Sequence, residues 1–528
     1  MVSGREKDGA FGMNRGDWLR FWCGIGAIVF LLISAFSRVS FGEEGNAAKE
    51  KKAWVVVTRE MFKETLGPLA EKRREDGYSV KISTKPVAET ISSLGVRPDF
   101  LVLVGDNEKG KEGEEWFVPS KTCELYRWRA EQEKGFVSDS LFGDLDGDLV
   151  CDVPVGRLPV RTREQLKTLV EKILAYEDGE PSPRNLCVPV YAGSSGYGAF
   201  YDSMTTQLLL GTLEKNAAGW LRPWMISADP THPLCGWPAE QARVFTERLK
   251  DGGLMTVLMG HGSTNYFYAM EFENKHFVYT AKQAAAGLAT VSNPGPVTVV
   301  FACHTGNFAA SIDCLAESLL FLRGGPVATI GATTESHPMT NYFSGLCLLR
   351  QTKAAHRNIG GLWLNAQKDA MKARDFVMEK MLRDIEGKLE ENINTKKLRR
   401  DQMLMYALLG DPATTMPFPK ALECQIRAEG NVWKWSAKKP KGASKLYVEF
   451  RADGLKFPEV QLPLKKGSAM VNLEKANEVF AFRSIAELSA GEAWEGKIEK
   501  AGTLRLTAIG GKRIYVGSHK TTAGLVGG

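Results

Sequence analysis

Cysteine is scarce and scattered, nine in 528 residues, with no Cys-x-x-Cys and no Cys/His pair at zinc-ligand spacing. That excludes a disulfide scaffold and a structural zinc module, although the cysteines beyond Cys23 leave room for roughly one or two bridges. An excess of one charge is equally lacking. The 68 Lys and Arg against 62 Asp and Glu leave a formal +6 over the whole chain, too dilute to demand a nucleic-acid-binding surface. There is no internal repeat and no low-complexity tract, and 44% apolar with 25% charged residues is the composition of a globular chain. Its length exceeds one ordinary core, so roughly two or three domains are expected.

The N-terminus carries a long apolar run. Arg5, Lys7, Arg15 and Arg20 precede residues 21–36, and Ser40-Phe41-Gly42 offers small residues at the positions a signal peptidase reads. Residues 1–42 are therefore assigned to a cleaved secretory signal. An uncleaved membrane anchor, with Arg38 as its stop, is the alternative. Either way the bulk of the chain is expected outside the membrane, secreted or at the cell surface.

Beyond that run, short apolar stretches alternate with helical patterns. Residues 53–57 and 79–82 read as strands, and the continuous run 100–104 ending in Gly105-Asp106 suits a strand buried on both faces of a parallel sheet. A helix over 162–177 follows Gly156-Arg157, and Pro181-Ser182-Pro183 punctuates the chain. Further strands are expected at 187–192, 255–259, 297–302 and 327–330. The fold class is α/β with a mostly parallel sheet, in two subdomains over 43–180 and 181–420. From about 421 to 528 the pattern becomes short alternating strands, 433–435, 446–450, 469–473 and 503–507, which predicts a β-sandwich.

Two of these strands end in reactive residues. Residues 255–259 run into Gly260-His261-Gly262-Ser263, and 297–302 into Cys303-His304-Thr305-Gly306-Asn307. In an open parallel sheet, ligands and catalytic groups gather where the carboxyl ends of strands open into loops. If the two strands are neighbours, Cys303 and His261 face each other as nucleophile and general acid/base, because a thiol needs an imidazole to take its proton and later protonate the leaving amine. The backbone N–H groups of Gly262 and Cys303 would form the oxyanion hole. Taken singly, a cysteine ending a buried strand is usually a small core residue and a Gly-His-Gly turn usually just a turn. It is their joint occurrence that points to chemistry. His304, next to the nucleophile, should point away from it at a strand end.

The stretches Gly260-His261-Gly262-Ser263, Ala302-Cys303-His304-Thr305-Gly306-Asn307-Phe308 and Cys314-Leu315-Ala316-Glu317-Ser318-Leu319 resemble the His and Cys motifs of the gingipain family. Leu103-Val104-Gly105-Asp106, Asp146-Gly147-Asp148, Gly156-Arg157, Tyr176-Glu177 and Gly410-Asp411-Pro412 agree in order. The resemblance implies a caspase-like α/β sandwich followed by an immunoglobulin-like β-sandwich, and a cysteine endopeptidase acting on protein or peptide substrates without a cofactor for the chemistry and without nucleic acid. It also implies an acidic group beside the histidine. Here the corresponding loop reads Gly193-Ser194-Ser195-Gly196-Tyr197-Gly198 and has none, so another group orients His261 or a bare dyad suffices; Glu271 and Glu273 are near in sequence. Since Ala53 follows Gly42 closely, a large N-terminal propeptide has no room.

For the substrate pocket, the resemblance places Asp202 where arginine-cleaving members have an aspartate, and a carboxylate there would pair bidentately with a basic P1 residue. The rival reading is that Asp202 caps a helix starting near Ser203. Residues 332–338, with Thr333, Ser336 and His337, are expected to form a pocket wall. Asp144, Asp146, Asp148 and Asp152 crowd one loop and suit a structural calcium ion, although the EF-hand spacing is absent. An acidic solvated turn is the alternative. Besides hydrolysis, the same dyad would serve a transpeptidase, and a silent homologue would serve as a binding or adhesion protein. Oligomeric state is not legible.

Overall fold

The strands are built as the apolar runs predict. In β1 (Ala53–Val57), β3 (Phe100–Val104), β7 (Cys187–Ala192) and β13 (Val297–Phe301) every residue is buried, the signature of strands covered on both faces. They belong to a computed structural model that describes residues 52–126, 135–196, 198–354, 356–376, 379–380, 394–429, 432–438, 440–443, 445–454, 456–458, 473–489, 494–497 and 501–521. The proposed signal, residues 1–42, lies outside the described residues.

With β2 (Ser79–Ser83), β6 (Val155–Leu158), β8 (Arg222–Ser227), β9 (Met255–Met259), β14 (Thr329–Ala332) and β15 (Tyr406–Leu409), these strands form one ten-stranded sheet in the order β2-β1-β3-β6-β15-β14-β13-β9-β7-β8. Every neighbouring pair is parallel except β14 and β15. The strands before residue 180 therefore run opposite to β14, β13, β9, β7 and β8, and β15 stitches the halves together through Leu409 opposite both Arg157 and Thr329. Two smaller antiparallel sheets complete this part: β4 (Lys121–Glu124) with β5 (Gly135–Ser138), and β10 (His261–Ser263) with β11 (Tyr266–Phe272) and β12 (Lys275–Thr280).

Several expected boundaries move. The strand expected at 327–330 runs Thr329–Ala332, two residues later than its apolar run and in register with β13. The helix expected over 162–177 is Arg163–Glu177, with Thr162 outside it in a capping box with Gln165. β8, β15 and the β10–β12 sheet were not expected. Among the described residues no disulfide forms, which corrects the one or two bridges: Cys151, Cys187, Cys235, Cys314 and Cys347 are buried, small core residues, and Cys123, Cys303 and Cys424 are half-buried thiols outside any disulfide.

After residue 419 the chain forms a five-stranded sheet and a three-stranded sheet, and Leu422, Trp435, Leu446, Val448, Leu504 and Leu506 make one core between them. Residues 469–472 lie outside the described residues, and Leu473 opens a short helix, Leu473–Asn477, instead of ending a strand. That helix covers β8, an edge of the large sheet. Met225 N–H donates to Asn477 Oδ1 at 2.6 Å, and Asn477 Nδ2 donates to Met225 O at 3.0 Å, so the side-chain amide takes the place of a further strand.

Candidate active site

The direction of the strands gathers the carboxyl ends of β7, β9, β13 and β14, and the amino end of β15, at one edge of the sheet. β9 and β13 are neighbours, with Met259 opposite Phe301. His261 and Cys303 each lie two residues past that pair. Gly260 N–H still donates to Phe301 O at 3.1 Å, so the two chains leave the sheet side by side. Gly262 follows so closely on the cysteine turn that an added Cβ would stand 2.7 Å from Thr305 Cγ2 and 2.9 Å from Ala302 Cβ. Only glycine fits there.

The cysteine turn is tight. His304 takes a left-handed conformation, φ 59°, and its N–H donates to Thr334 O at 3.0 Å. Gly306 then packs on the backbone of Gly331, where a Cβ would come within 2.4 Å. These contacts tie the turn after β13 to the loop after β14.

The imidazole is held from the opposite side to what its sequence neighbours suggest. His261 Nε2 lies 2.7 Å from the carbonyl oxygen of Ser195, in the loop after β7. A carbonyl only accepts, so Nε2 carries the proton and, in the neutral ring, the lone pair sits on Nδ1. Glu271 stands opposite His276 in the register of the β11–β12 hairpin and Glu273 occupies its turn, whereas the ring nitrogen meets Ser195 O. No sequence signal could have named a backbone carbonyl as the orienting group.

The thiol has its own support. Ser336 N–H donates to Cys303 Sγ at 3.3 Å, and Asn341 Nδ2 holds Ser336 Oγ at 2.8 Å. Asn341 Oδ1 in turn accepts from Tyr406 OH at 2.7 Å and from Gln402 Nε2 at 2.9 Å, all of it buried. Asn341 and Tyr406 escaped the sequence reading, because a lone Asn in a helix and a Tyr opening an unrecognised strand carry no motif.

The other expected pocket residues have different neighbours. Asp202 sits in the first turn of the helix Ala199–Asn216, and its carboxylate accepts from Ser195 N–H at 2.5 Å and from Ser194 Oγ at 3.2 Å. Thr333 Oγ1 donates to Val137 O at 2.8 Å, and His337 is the N-cap of the helix Pro338–Gln351, its Nδ1 accepting from Met339 N–H. Of the expected wall residues, Ser336 is bonded to the thiol.

Asp144, Asp146 and Asp152 bring carboxylate oxygens within 4.8 Å of one another, without Asp148. Asp144 accepts from the N–H groups of Gly147 and Leu149, and Asp148 from that of Val150. An oxygen donor set of this kind fits a hard cation such as calcium.

The remaining motif residues are structural. Arg157 is fully buried, paired with Asp139 and donating to the carbonyls of Gly105 and Val118. Asp411 and Glu177 share the buried guanidinium of Arg73. Glu317 closes the start of the helix Leu315–Phe321 by accepting from Cys314 N–H at 2.9 Å, and burial pushes its carboxyl well above the usual range.

An α/β enzyme with a thiol and an imidazole at adjoining strand ends is the class that this edge of the sheet describes. Residues 47–417 match the sequence model of Peptidase family C25. The chain belongs to that family, the gingipains, and is a cysteine-type peptidase, with proteins as its substrates. Among solved structures it is similar to one titled "Structure of Protease", at 14% identity and a TM-score of 0.50, over 89% of this chain and 97% of that one. It is also similar to the Arg-specific cysteine proteinase gingipain R (RgpB), at 14% identity and a TM-score of 0.49, over 90% and 100%. A complex of RgpB pro- and mature domains from Porphyromonas gingivalis gives 14% and 0.49, over 89% and 99%.

Proposed function

We propose that the chain is an exported endopeptidase in which Cys303 is the nucleophile and His261 the general acid/base. What carries this reading is the register of β9 and β13, which brings the two side chains to the same level of adjoining strands. With Nε2 bound to Ser195 O, Nδ1 of His261 takes the thiol proton as sulfur attacks the scissile carbonyl. The same proton passes to the departing amine, leaving a thioester that water cleaves. The backbone N–H groups of Gly262 and Cys303 stabilise the oxyanion; the close packing of Gly262 on residues 302–305 supports that pairing. The bonds of Asp202 to Ser194 and Ser195 speak for a holding role; a preference for basic P1 residues is the further expectation, read from the residue before each mapped cut.

Export rests on the basic and apolar pattern of residues 1–42. The two-sheet C-terminal unit is taken to be immunoglobulin-like, on its shared core. The loop 144–152 is taken as a calcium site that stabilises without touching the chemistry.

The test is a mixed peptide library incubated with the full chain and with Cys303→Ala and His261→Ala, cuts being mapped by mass spectrometry. Both variants should lose cleavage by about a thousandfold or more. Cleavage that survives Cys303→Ala would refute the dyad. Joined peptides in place of cut ones would assign the same thioester to transpeptidation, and a folded protein that cuts nothing would favour a binding role.

A further inference from the structure

We propose that Asp202 is the residue that positions His261, acting through the backbone of Ser195; this rests on the dyad reading above. The loop after β7 contains no acid, yet it presents a carbonyl to the imidazole, and the hydrogen bonds around that carbonyl lead to one carboxylate. Ser195 N–H donates to Asp202 Oδ1 at 2.5 Å, and Ser194 Oγ donates to Asp202 Oδ2 at 3.2 Å. Gly196 N–H donates to Ser194 Oγ at 3.2 Å, which closes the turn around Ser195. Residues on both sides of Ser195 are thus held, and its carbonyl is left to meet His261 Nε2 at 2.7 Å.

The anchor is rigid at its other end. Asp202 is buried, 9% exposed, in the first turn of an 18-residue helix. Thr206 Oγ1 donates to Asp202 O and also meets Ser227 Oγ in β8 at 2.6 Å, tying the turn to the sheet. At the ring, Gly196 has φ +75°, and a Cβ there would lie 2.7 Å from His261 Nε2. The loop is therefore moulded to the imidazole and held by Asp202. A charged acceptor makes the stronger hydrogen bond, so the carboxylate fixes the peptide more firmly than an amide would.

This role differs from substrate recognition in what it affects. A pocket-floor aspartate determines which peptides bind, whereas a positioning aspartate determines how fast every bound peptide reacts. Asp202→Asn in the full chain should lower kcat about 10- to 100-fold for every peptide that the wild type cuts, with KM within about twofold and an unchanged P1 profile. Asp202→Glu should recover part of that loss. A second readout needs no turnover: 15N NMR of histidine-labelled protein, with His261 assigned by His261→Gln, should show a single Nε2–H tautomer in the wild type and mixed tautomers in Asp202→Asn. Loss confined to peptides with arginine or lysine before the cut, or an unchanged kcat, would overturn the proposal. A wild type that cuts nothing would refute the dyad reading instead, and the ring tautomer would still decide the role of Asp202, a fixed tautomer in Asp202→Asn refuting it.

Discussion

The Sγ of Cys303 receives the backbone N–H of Ser336 at 3.3 Å, and what keeps that amide in place is not local to either residue. Asn341 holds Ser336 Oγ, Tyr406 and Gln402 hold Asn341, and Thr340 holds Gln402. The thiol is thus connected to β15, the strand that joins the two half-sheets. A partial positive charge at an N–H stabilises a thiolate, so disturbing this network should be felt at the sulfur.

Asn341→Leu tests that connection. It takes the Asn341 partner from Tyr406 OH, Gln402 Nε2 and Ser336 Oγ in the interior, Gln402 Nε2 keeping Ser344 Oγ, which should cost about 2–4 kcal/mol in urea unfolding. Iodoacetamide alkylation of Cys303, followed by mass spectrometry of its peptide, should also slow several-fold. A loss of stability with unchanged alkylation would mean that the network supports the fold alone.

Much of this was legible in the sequence where hydrophobic periodicity decides the outcome. The all-buried runs of β1, β3, β7 and β13 are too apolar and too short to be anything else, and the residues that end β9 and β13 followed from them. β15 was hidden because Tyr406–Leu409 is only four residues and precedes Gly410-Asp411-Pro412, which reads as a turn. Its place between the half-sheets is a long-range fact that no local pattern encodes. Asp202 was visible as a residue but not as a partner of Ser195, since a hydrogen bond to a backbone N–H leaves no mark on residue type. The same limit hid the carbonyl that orients His261.

The motif Gly410-Asp411-Pro412 has a role that its distance from the thiol would not suggest. Asp411 is fully buried, receiving Trp54 Nε1 at 3.0 Å and Arg73 Nε at 2.9 Å. The same guanidinium reaches Glu177 at 2.9 Å, and Glu177 accepts Thr415 N–H. Asp411→Ala leaves Arg73 short of one of its two closest counter-charges in a place without water, so unfolding free energy should fall by about 3–5 kcal/mol. Replacement of Arg73 by Met should cost a similar amount, and the double variant less than the sum of the two, because the second change removes the uncompensated charge left by the first. Additive losses in urea unfolding would show that the groups act independently.

Lys172 supplies a dependence on pH. It is buried in the helix Arg163–Glu177, and its Nζ donates to Leu320 O at 2.5 Å and to Leu322 O at 2.7 Å, closing the end of the helix that follows the cysteine turn. Both carbonyls can be served by a neutral amine, and burial pushes the pKa down to about 7. An unfolded lysine titrates near about 10.4, so between these values the unfolded chain binds a proton that the folded one does not. Stability should therefore rise with pH from about 7 upwards, by up to about 1.4 kcal/mol per pH unit from this residue, and level off near about 10.4. Below about 7 the lysine is charged in both states and its contribution is flat. Urea unfolding of the wild type and Lys172→Met at intervals from about pH 7 to about pH 9.5 isolates this contribution: the difference between them should shift steadily in favour of the wild type as pH rises. Parallel curves would mean that the two carbonyls keep the ammonium charged in the fold, outweighing burial.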